Sequence, residues 1–209
     1  MNIVNTIDDG RKLSKNLDNP IDTLCLIIGV KMNAILYQYN FTPNMLTFIS
    51  LILSLIGVYF IYIQSYKIGS ILLFIGYYFD CVDGNFARKY NMISKFGDYF
   101  DHISDITKMI LLYFVIYYSK LKKKTKIIFY LVNVILIILF NIHFGCQEKY
   151  YDRKSSLDFT KKMCIKKEHV KYTKYFGSGT FFFIICSYLF CIEYINKMYY
   201  TFEHLKRRY

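Results

Sequence analysis

Two acidic motifs, separated by a short connection, carry the side chains of this sequence best suited to chemistry. Asp80 and Asp83 stand at positions i and i+3, and Asp101 and Asp105 at positions i and i+4. On helices, such spacings place both members of a pair on one face. Two antiparallel helices joined by a short loop would bring both pairs to the same depth. The sequence therefore predicts that four carboxylates converge at one end of a helix pair.

Converging carboxylates need compensation, because they repel one another and each costs about 2.5–3.5 kcal/mol at the centre of a membrane. Two divalent cations would balance them, and Mg²⁺ and Mn²⁺ prefer oxygen ligands and commonly hold a pyrophosphate. Gly84 and Gly97 leave room for close approach. Ala87 keeps the same face small, and Arg88 offers a planar donor for phosphate. Each part alone could serve proton relay, helix packing or topology, but the fixed spacing of all of them favours one site.

The elements that must position these residues are long apolar segments. The chain is 55% hydrophobic, above the ~45–50% typical of soluble domains. Uncharged runs cover residues 32–66, 127–147 and 175–192, and each is about long enough to cross a ~30 Å hydrocarbon core as a helix. A soluble enzyme, a disordered chain and a secreted disulfide scaffold are excluded. The pattern predicts an all-α, polytopic membrane helix bundle.

Five membrane spans are predicted, the second and third of which carry the acidic motifs. They cover residues 45–64, a segment from 68 into the first motif, and residues 97–119, 127–144 and 176–192. Asn19-Pro20 begins an earlier amphipathic helix that reaches about residue 39. We expect this helix to lie in the interface, with a spanning placement as the alternative. The expected organisation is a polar tail (1–19), one membrane domain (20–196) and a short basic tail (197–209).

The charged residues and the cysteines predict orientation, partners and redox state. The net charge is +12, but no soluble module remains to hold a nucleic-acid fold, so we expect no nucleic acid and a lipid bilayer as the partner. More lysines and arginines flank the acidic end than the opposite end, which predicts a cytosol-facing site. Residues 148–174 are expected to form a long basic loop. The six cysteines show no CxxC spacing, and we expect them to be reduced.

The pattern DxxDGxxAR, followed after eight residues by GxxxDxxxD, resembles the signature of the CDP-alcohol phosphotransferase family. Every specified position matches, and Thr42-Pro43-Asn44 and the N-terminal helix extend the resemblance over roughly residues 20–145. The resemblance implies a homodimeric membrane enzyme with six transmembrane helices, so five to six spans are expected here. It also implies that the site lies at the cytosolic interface.

The resemblance further implies roles for the matched residues. Two divalent cations, Mg²⁺ or Mn²⁺, would be bound by Asp80, Asp83, Asp101 and Asp105. Asp105 would also be the catalytic base, and the pocket for the CDP moiety would be shaped by Gly84, Ala87, Arg88 and Gly97. In the implied reaction the metals hold the pyrophosphate of a CDP-linked lipid or head group. Asp105 takes the proton of an alcohol acceptor, and CMP leaves.

Two branches of this family compete as substrate predictions. Asp101-His102 resembles the choline/ethanolamine phosphotransferases, which use diacylglycerol as the acceptor. Asn91 and Ser94-Lys95-Phe96-Gly97, like the short chain, resemble the branch that uses CDP-diacylglycerol. This second branch includes phosphatidylinositol and phosphatidylglycerophosphate synthases. We favour it, which predicts transfer of a phosphatidyl group to an alcohol hydroxyl.

Other classes of membrane protein explain these residues less well, and two residues near the aspartates have separate expected roles. A cation transporter or channel could line its path with buried carboxylates, but it gives no role to Arg88. A membrane prenyltransferase would carry its aspartate motifs farther apart, and a non-catalytic scaffold would not need four intact aspartates. His102 falls beside the aspartate face, so we expect it to contact a neighbouring helix rather than a metal. Asp98 could reach the face and support a metal ligand.

Overall fold

The structure, a computed structural model, describes residues 10–151 and 158–206, and these residues form helices and connections without a β-strand. Six long helices follow one another: α1 (Pro20–Gln38), α2 (Pro43–Tyr62), α3 (Tyr66–Lys89), α4 (Lys95–Tyr118), α5 (Lys123–Tyr151) and α6 (Ser178–Lys206). The predicted all-α bundle is confirmed, and each predicted span coincides with one of α2 to α6.

Local sequence signals begin and end the helices. Asn19, Thr42 and Ser94 stand at N-caps, where each side-chain oxygen accepts a backbone N–H of the first turn. The chain has two prolines, and both occupy the first turn of a helix, where no N–H is needed. At the other ends, α1, α2 and α3 are each followed by a residue in the left-handed region: Asn40, Gln64 and Asn91. These left-handed residues turn the chain sharply, so consecutive helices pack as neighbours.

Small residues allow α2 and α3 to pack closely against each other. A Cβ on Gly57 would lie 2.9 Å from the Gly69 carbonyl oxygen, and Gly76 of α3 lies equally close to the turn of α2 that contains Ser50 and Ser54. In membranes, such small residues allow helix backbones to approach closely. The contact runs along most of both helices, so the polar side chains of α2 face the aspartate-bearing part of α3.

The remaining helices pack around this pair. α6 runs antiparallel to α3, with the rings of Tyr77 and Phe182 stacked at 4.5 Å. α5 runs antiparallel to α6, with Thr125 donating a 2.9 Å hydrogen bond to Asn196 at one end and Phe140 contacting Phe181 farther along. The buried core between α2 and α6 includes Leu73, Ile116, Phe129 and Leu189.

Within the described part of the chain, four segments are long and apolar enough to cross a membrane: α1, α2, α5 and residues Lys167–Asn196, which contain most of α6. α3 and α4, with 24 residues each, are also long enough, but they carry the charged motifs. α1 packs along the C-terminal half of α3, where Asn33 donates a 2.8 Å hydrogen bond to Asn85. Its interfacial placement stays a prediction. α6 continues as a helix past residue 197 to Lys206, where a polar tail was expected.

The basic stretch after α5 is not the loop that was expected. α5 extends to Tyr151, and residues 158–176 form short helical turns that pack back against it. Thr160 and Val170 are buried there. This folding brings Cys164 to Cys146, and the two form a disulfide, so the expectation that all cysteines are reduced is wrong for this pair. Cys25, Cys81, Cys186 and Cys191 are free, as predicted.

The N-terminal segment (residues 10–18) folds onto the same end of the bundle. Its Leu13 is 1% exposed, and Lys12 pairs with the buried Glu148 near the end of α5. Burial lowers the pKa of Lys12, and the Glu148 carboxylate opposes that shift. Burial also raises the pKa of Asp18 to about 6, although Arg11 lies 3.9 Å away. The aspartate end of α3 is therefore covered by packed chain.

Candidate active site

Three of the four predicted carboxylates meet. Asp80 of α3 and Asp101 and Asp105 of α4 each place one oxygen within 4.8 Å of the others. α2 packs against both α3 and α4 and so sets the separation of the helices that carry these residues. The i, i+4 pair on α4 indeed shares a face. We call these three residues the acidic cluster.

Asp83 is buried beside the acidic cluster but turns toward α2. Its carboxylate accepts a short hydrogen bond from the Thr47 hydroxyl, and the residue is only 4% exposed. Asp80 and Asp83, the i, i+3 pair on α3, therefore do not point to one place, because different side chains of α2 donate hydrogen bonds to them. The prediction that all four carboxylates converge is thus met by three of them, with Asp83 alongside.

A lysine lies within the acidic cluster. The Lys108 ammonium is 2.7 Å from Asp80 Oδ1 and 2.6 Å from Asp105 Oδ1. It also donates a 3.2 Å hydrogen bond to Ser50 Oγ, and Ser50 itself donates to Asp80 Oδ1 at 3.3 Å. Lys108 is 2% exposed, so its charge is compensated by these carboxylates rather than by water.

The residues expected to shape the CDP pocket lie next to the aspartates. The Arg88 guanidinium packs over Gly84, where a Cβ would lie 3.3 Å from Nη1. Arg88 Nε donates a 2.8 Å hydrogen bond to the Gly10 carbonyl of the N-terminal segment. At the start of α4, a Cβ on Gly97 would lie 3.0 Å from the Asn44 side-chain oxygen of α2. Ala87 is half-buried on the turn before Arg88.

His102 lies beside two aspartates of its own helix, and its contact with a neighbouring helix stays a prediction. Its Nδ1 lies 3.4 Å from Asp101 Oδ2, and its Nε2 lies 3.8 Å from Asp98 Oδ1. His102 is not among the residues that meet in the acidic cluster. It therefore orients Asp101 from the side, and Asp98 lies on the far side of His102.

The acidic cluster has the donor set that a hard divalent cation requires. The three residues supply only carboxylate oxygens, the ligands preferred by Mg²⁺ and Mn²⁺. Asp101 Oδ1 is buried, and no described side chain or backbone group donates a hydrogen bond to it. A buried carboxylate oxygen without a partner is costly unless something positive binds it. The residues present therefore fit a divalent cation.

Sequence reasoning missed the polar residues that surround the aspartates. Thr47, Ser50, Ser54 and Gly57 repeat at intervals of three and four residues along the otherwise apolar α2, and that stripe indicates a face turned toward a polar site. Lys108 lies three residues after Asp105, inside an apolar stretch. A charge in such a place indicates a buried partner.

Comparison with known proteins identifies the family to which this chain belongs. The family description CDP-alcohol phosphatidyltransferase matches residues 40–203, most of the chain. The chain therefore belongs to the CDP-alcohol phosphatidyltransferase family, and the predicted resemblance is confirmed.

Two curated relatives match a shorter part of the chain. An uncharacterized protein of Aquifex aeolicus is 34% identical over 68 residues, which is 32% of this chain and 35% of that protein. The archaetidylinositol phosphate synthase of Pyrococcus horikoshii is 36% identical over 70 residues, which is 34% of this chain and 37% of that enzyme. Each match thus spans about a third of the relative's length. No solved structure matches the chain.

Proposed function

We propose that this protein is a phospholipid-synthesising membrane transferase that moves a substituted phosphoryl group from a CDP-linked donor to an alcohol hydroxyl and releases CMP. The observation that carries the proposal is the acidic cluster of Asp80, Asp101 and Asp105 in a chain of this family. Its position at the charged ends of two otherwise apolar helices suits a reaction in which a lipid and a water-soluble substrate meet.

Two divalent cations, Mg²⁺ or Mn²⁺, would be held by the acidic cluster together with Asp83. When bound, they would supply charge neutralisation for the pyrophosphate of the donor. The cluster supports this role because its oxygens are close together and that of Asp101 lacks a donor. Thr47 fixes the Asp83 carboxylate, and His102 orients Asp101. Arg88, over Gly84, is placed to donate to a phosphate oxygen.

Asp105 is the proposed base. It is the most exposed of the three acidic-cluster side chains, at 39% against 15% for Asp80 and 31% for Asp101. It can therefore accept the proton of an alcohol that approaches from outside the bundle. The deprotonated oxygen would attack the phosphorus remote from the cytidine, the new phosphodiester bond would form, and the bond to CMP would break.

We propose a lipid-linked CDP donor of the CDP-diacylglycerol type with a small polar alcohol as the acceptor. The relative from Pyrococcus horikoshii is named for an archaetidylinositol phosphate product, a lipid joined to inositol phosphate. That name supports the lipid-donor branch over the choline/ethanolamine branch, which remains the alternative. The sequence Ser94-Lys95-Phe96-Gly97, where Ser94 caps α4 beside the site, supports the same branch.

The site is proposed to face the cytosol in a multi-pass protein. The N-terminal segment and the basic turns of residues 158–176 lie at the aspartate end, which supports a positive cytosolic side. The Cys146–Cys164 disulfide lies at this end too, and a reducing cytosol would open it. Because both cysteines are buried, we therefore expect a thiol reagent to label them when cells are lysed directly into denaturant that contains the reagent.

The test is CMP release by the purified protein with Mg²⁺ or Mn²⁺. CDP-diacylglycerol would be offered with inositol, inositol phosphate, serine or glycerol phosphate, and diacylglycerol with CDP-choline or CDP-ethanolamine.

Asp105→Asn should lower the rate of CMP release by about 10²–10⁴-fold, the usual contribution of a general base. Glu193→Gln, at an exposed site midway along α6 and level with the start of α3, is the control and should keep full activity. Full activity of Asp105→Asn would refute the assignment of the base, and CMP release from none of the pairs would refute the proposed function.

A further inference from the structure

Lys108 has no role in the reaction described above, yet the protein buries it at the centre of the site. It follows Asp105 by one helical turn, and its ammonium contacts Asp80 Oδ1 at 2.7 Å and Asp105 Oδ1 at 2.6 Å. The next buried positions on the same face of α4 are Leu112 and Ile116. A buried charge is costly without partners, so Lys108 serves as the internal counter-ion of the acidic cluster.

The oxygens that hold Lys108 belong to two of the three residues that can converge on one metal ion. Mg²⁺ binds carboxylate oxygens at about 2.0–2.1 Å, closer than the ammonium lies now. A cation shared by Asp80 and Asp105 would occupy the space of the Lys108 ammonium and would also repel its charge. If a metal ion takes the position of the ammonium between the two Oδ1 atoms, the ammonium must move away from them.

We propose that Lys108 is a positioning residue that competes with one divalent cation for Asp80 and Asp105. Without metal, its ammonium compensates the two carboxylates and keeps the helices together. With metal bound, it leaves the pair, and its flexible four-carbon stem permits this movement. The ammonium would then turn past Asp105, the most exposed of the three carboxylates, toward water. This inference rests on the proposed function, because it requires that the acidic cluster bind metal.

Mn²⁺ binding to the purified protein in detergent tests the competition without any turnover. Lys108→Met and Lys108→Gln both remove the charge. The glutamine keeps amide donors for the carboxylates, so this neutral variant should fold even if the methionine variant does not. Both should bind Mn²⁺ at least about tenfold more tightly than the wild type, a usual size for changes beside a metal ligand. Lys108→Arg keeps the charge and should not gain affinity. Binding is read from the electron paramagnetic resonance signal of free Mn²⁺.

The matched control is Lys124→Met, which removes the same charge at an exposed position near the start of α5, beyond the far end of α4. It should bind Mn²⁺ like the wild type. Unchanged or weaker binding in the neutral Lys108 variants would overturn the inference while leaving the proposed function standing. Absence of Mn²⁺ binding in the wild type, equal to that of Asp101→Asn, would instead overturn the metal site itself.

The wild-type chain offers a second readout. If metal displaces the ammonium, adding Mn²⁺ should raise the rate at which an amine-acylating reagent modifies Lys108, as measured by peptide mass spectrometry. Lys124 is the internal reference and should not change. A Lys108 rate that stays constant or falls on adding Mn²⁺ would contradict the competition.

Discussion

At the scale of single residues, the two aspartates of α3 have different surroundings although they are one turn apart. Asp80 faces Lys108 and the acidic cluster, whereas Asp83 is bound by the Thr47 hydroxyl of α2. A carboxylate that is 4% exposed depends on that donor, because burial has removed water from it. Thr47 therefore provides a hydrogen-bond partner for the buried Asp83 carboxyl rather than merely packing.

Thr47→Val keeps the shape of the side chain but removes the hydroxyl. We expect it to lower the free energy of unfolding by about 1–3 kcal/mol, because a buried acceptor loses its partner. Thermal unfolding in detergent, followed by circular dichroism, measures the change. The control is Thr107→Val on α4, whose hydroxyl donates to the Ile103 carbonyl of its own helix, and it should cost less than half as much. Equal effects of the two substitutions would contradict a special role for Thr47.

The sequence predicted which residues form the site but not the contacts that they make. The spacing of the aspartates, glycines and Arg88 predicted a metal site at one end of two helices. It could not predict that Asp83 turns to Thr47, because that depends on which face α2 presents. Lys108 was missed for a related reason: a lysine three residues after Asp105 could equally have faced lipid headgroups, and only helix packing directs it to Asp80.

At the scale of helices, the close contact between α2 and α3 sets the position of the site. Gly57 lies against the backbone of Gly69 and Leu73. The same contact carries Ser50 to Asp80 at one end of the pair. A change that separates these helices should therefore act on the site even when it lies far from the aspartates.

Gly57→Ala tests this connection. Its Cβ would lie 2.9 Å from the Gly69 carbonyl oxygen and 3.0 Å from the Leu73 nitrogen, so backbone must move. Overpacking of this kind costs about 1–3 kcal/mol, and we expect a lower melting temperature together with weaker Mn²⁺ binding. Ile56→Ala, at the neighbouring position where the side chain is 41% exposed, should leave Mn²⁺ binding unchanged. Normal Mn²⁺ binding in Gly57→Ala would show that the helix spacing does not control the site.

The N-terminal segment contributes a pH dependence through Asp18. Its pKa is about 6 when folded, above the ordinary value of 3.8, so between pH 4 and 6 the folded protein holds a proton that the unfolded chain releases. The contribution of Asp18 to stability therefore increases as the pH falls through 6, by on the order of 3 kcal/mol in total. Asp18→Asn is neutral throughout, so its stability advantage over the wild type should shrink between pH 7 and pH 4.5.

Chemical denaturation at several pH values measures that difference. Leu17→Ala alters the adjacent packing without a titrating group, so its difference from the wild type should be constant across the same range. A constant difference for Asp18→Asn as well would show that burial does not shift this carboxyl.

At the scale of the whole molecule, the outward face of α4 suggests how two copies could meet. Its apolar side chains are exposed along the whole helix: Phe96, Tyr99, Ile103, Ile106, Ile110, Phe114 and Tyr117. Lipid can cover the middle of this stripe. Phe96 and Tyr99, however, lie beside the aspartates at the charged end of the helix, where lipid tails give them little cover. We propose that this face pairs with a second copy of the chain.

Cysteine crosslinking in membranes tests the pairing. Ile106→Cys should give a disulfide-linked dimer on mild oxidation, because a two-fold contact brings equal positions together. Ile135→Cys on α5 is the control: it is exposed to a similar degree, 58% against 60%, and should remain monomeric. Both variants need the free native cysteines replaced by serine or alanine. Crosslinking at Ile135 but not at Ile106 would assign the interface to α5.

Contacts between segments that are distant in the chain were the hardest feature to predict from the sequence. Apolar runs and cap residues predicted the helices well, since both are local signals. The return of residues 158–176 onto α5 was not predictable, because nothing in the spacing of Cys146 and Cys164 indicates that they meet. The packing of residues 10–18 was missed for the same reason, since a polar stretch looks alike whether it is solvated or bound.

The hydrogen bond between the Gly10 carbonyl and Arg88 connects the N-terminal segment to the side chain that we propose contacts a nucleotide phosphate. A change that shifts Gly10 would therefore remove the acceptor that holds the guanidinium over Gly84. We expect loss of this anchor to weaken the nucleotide binding proposed for the site.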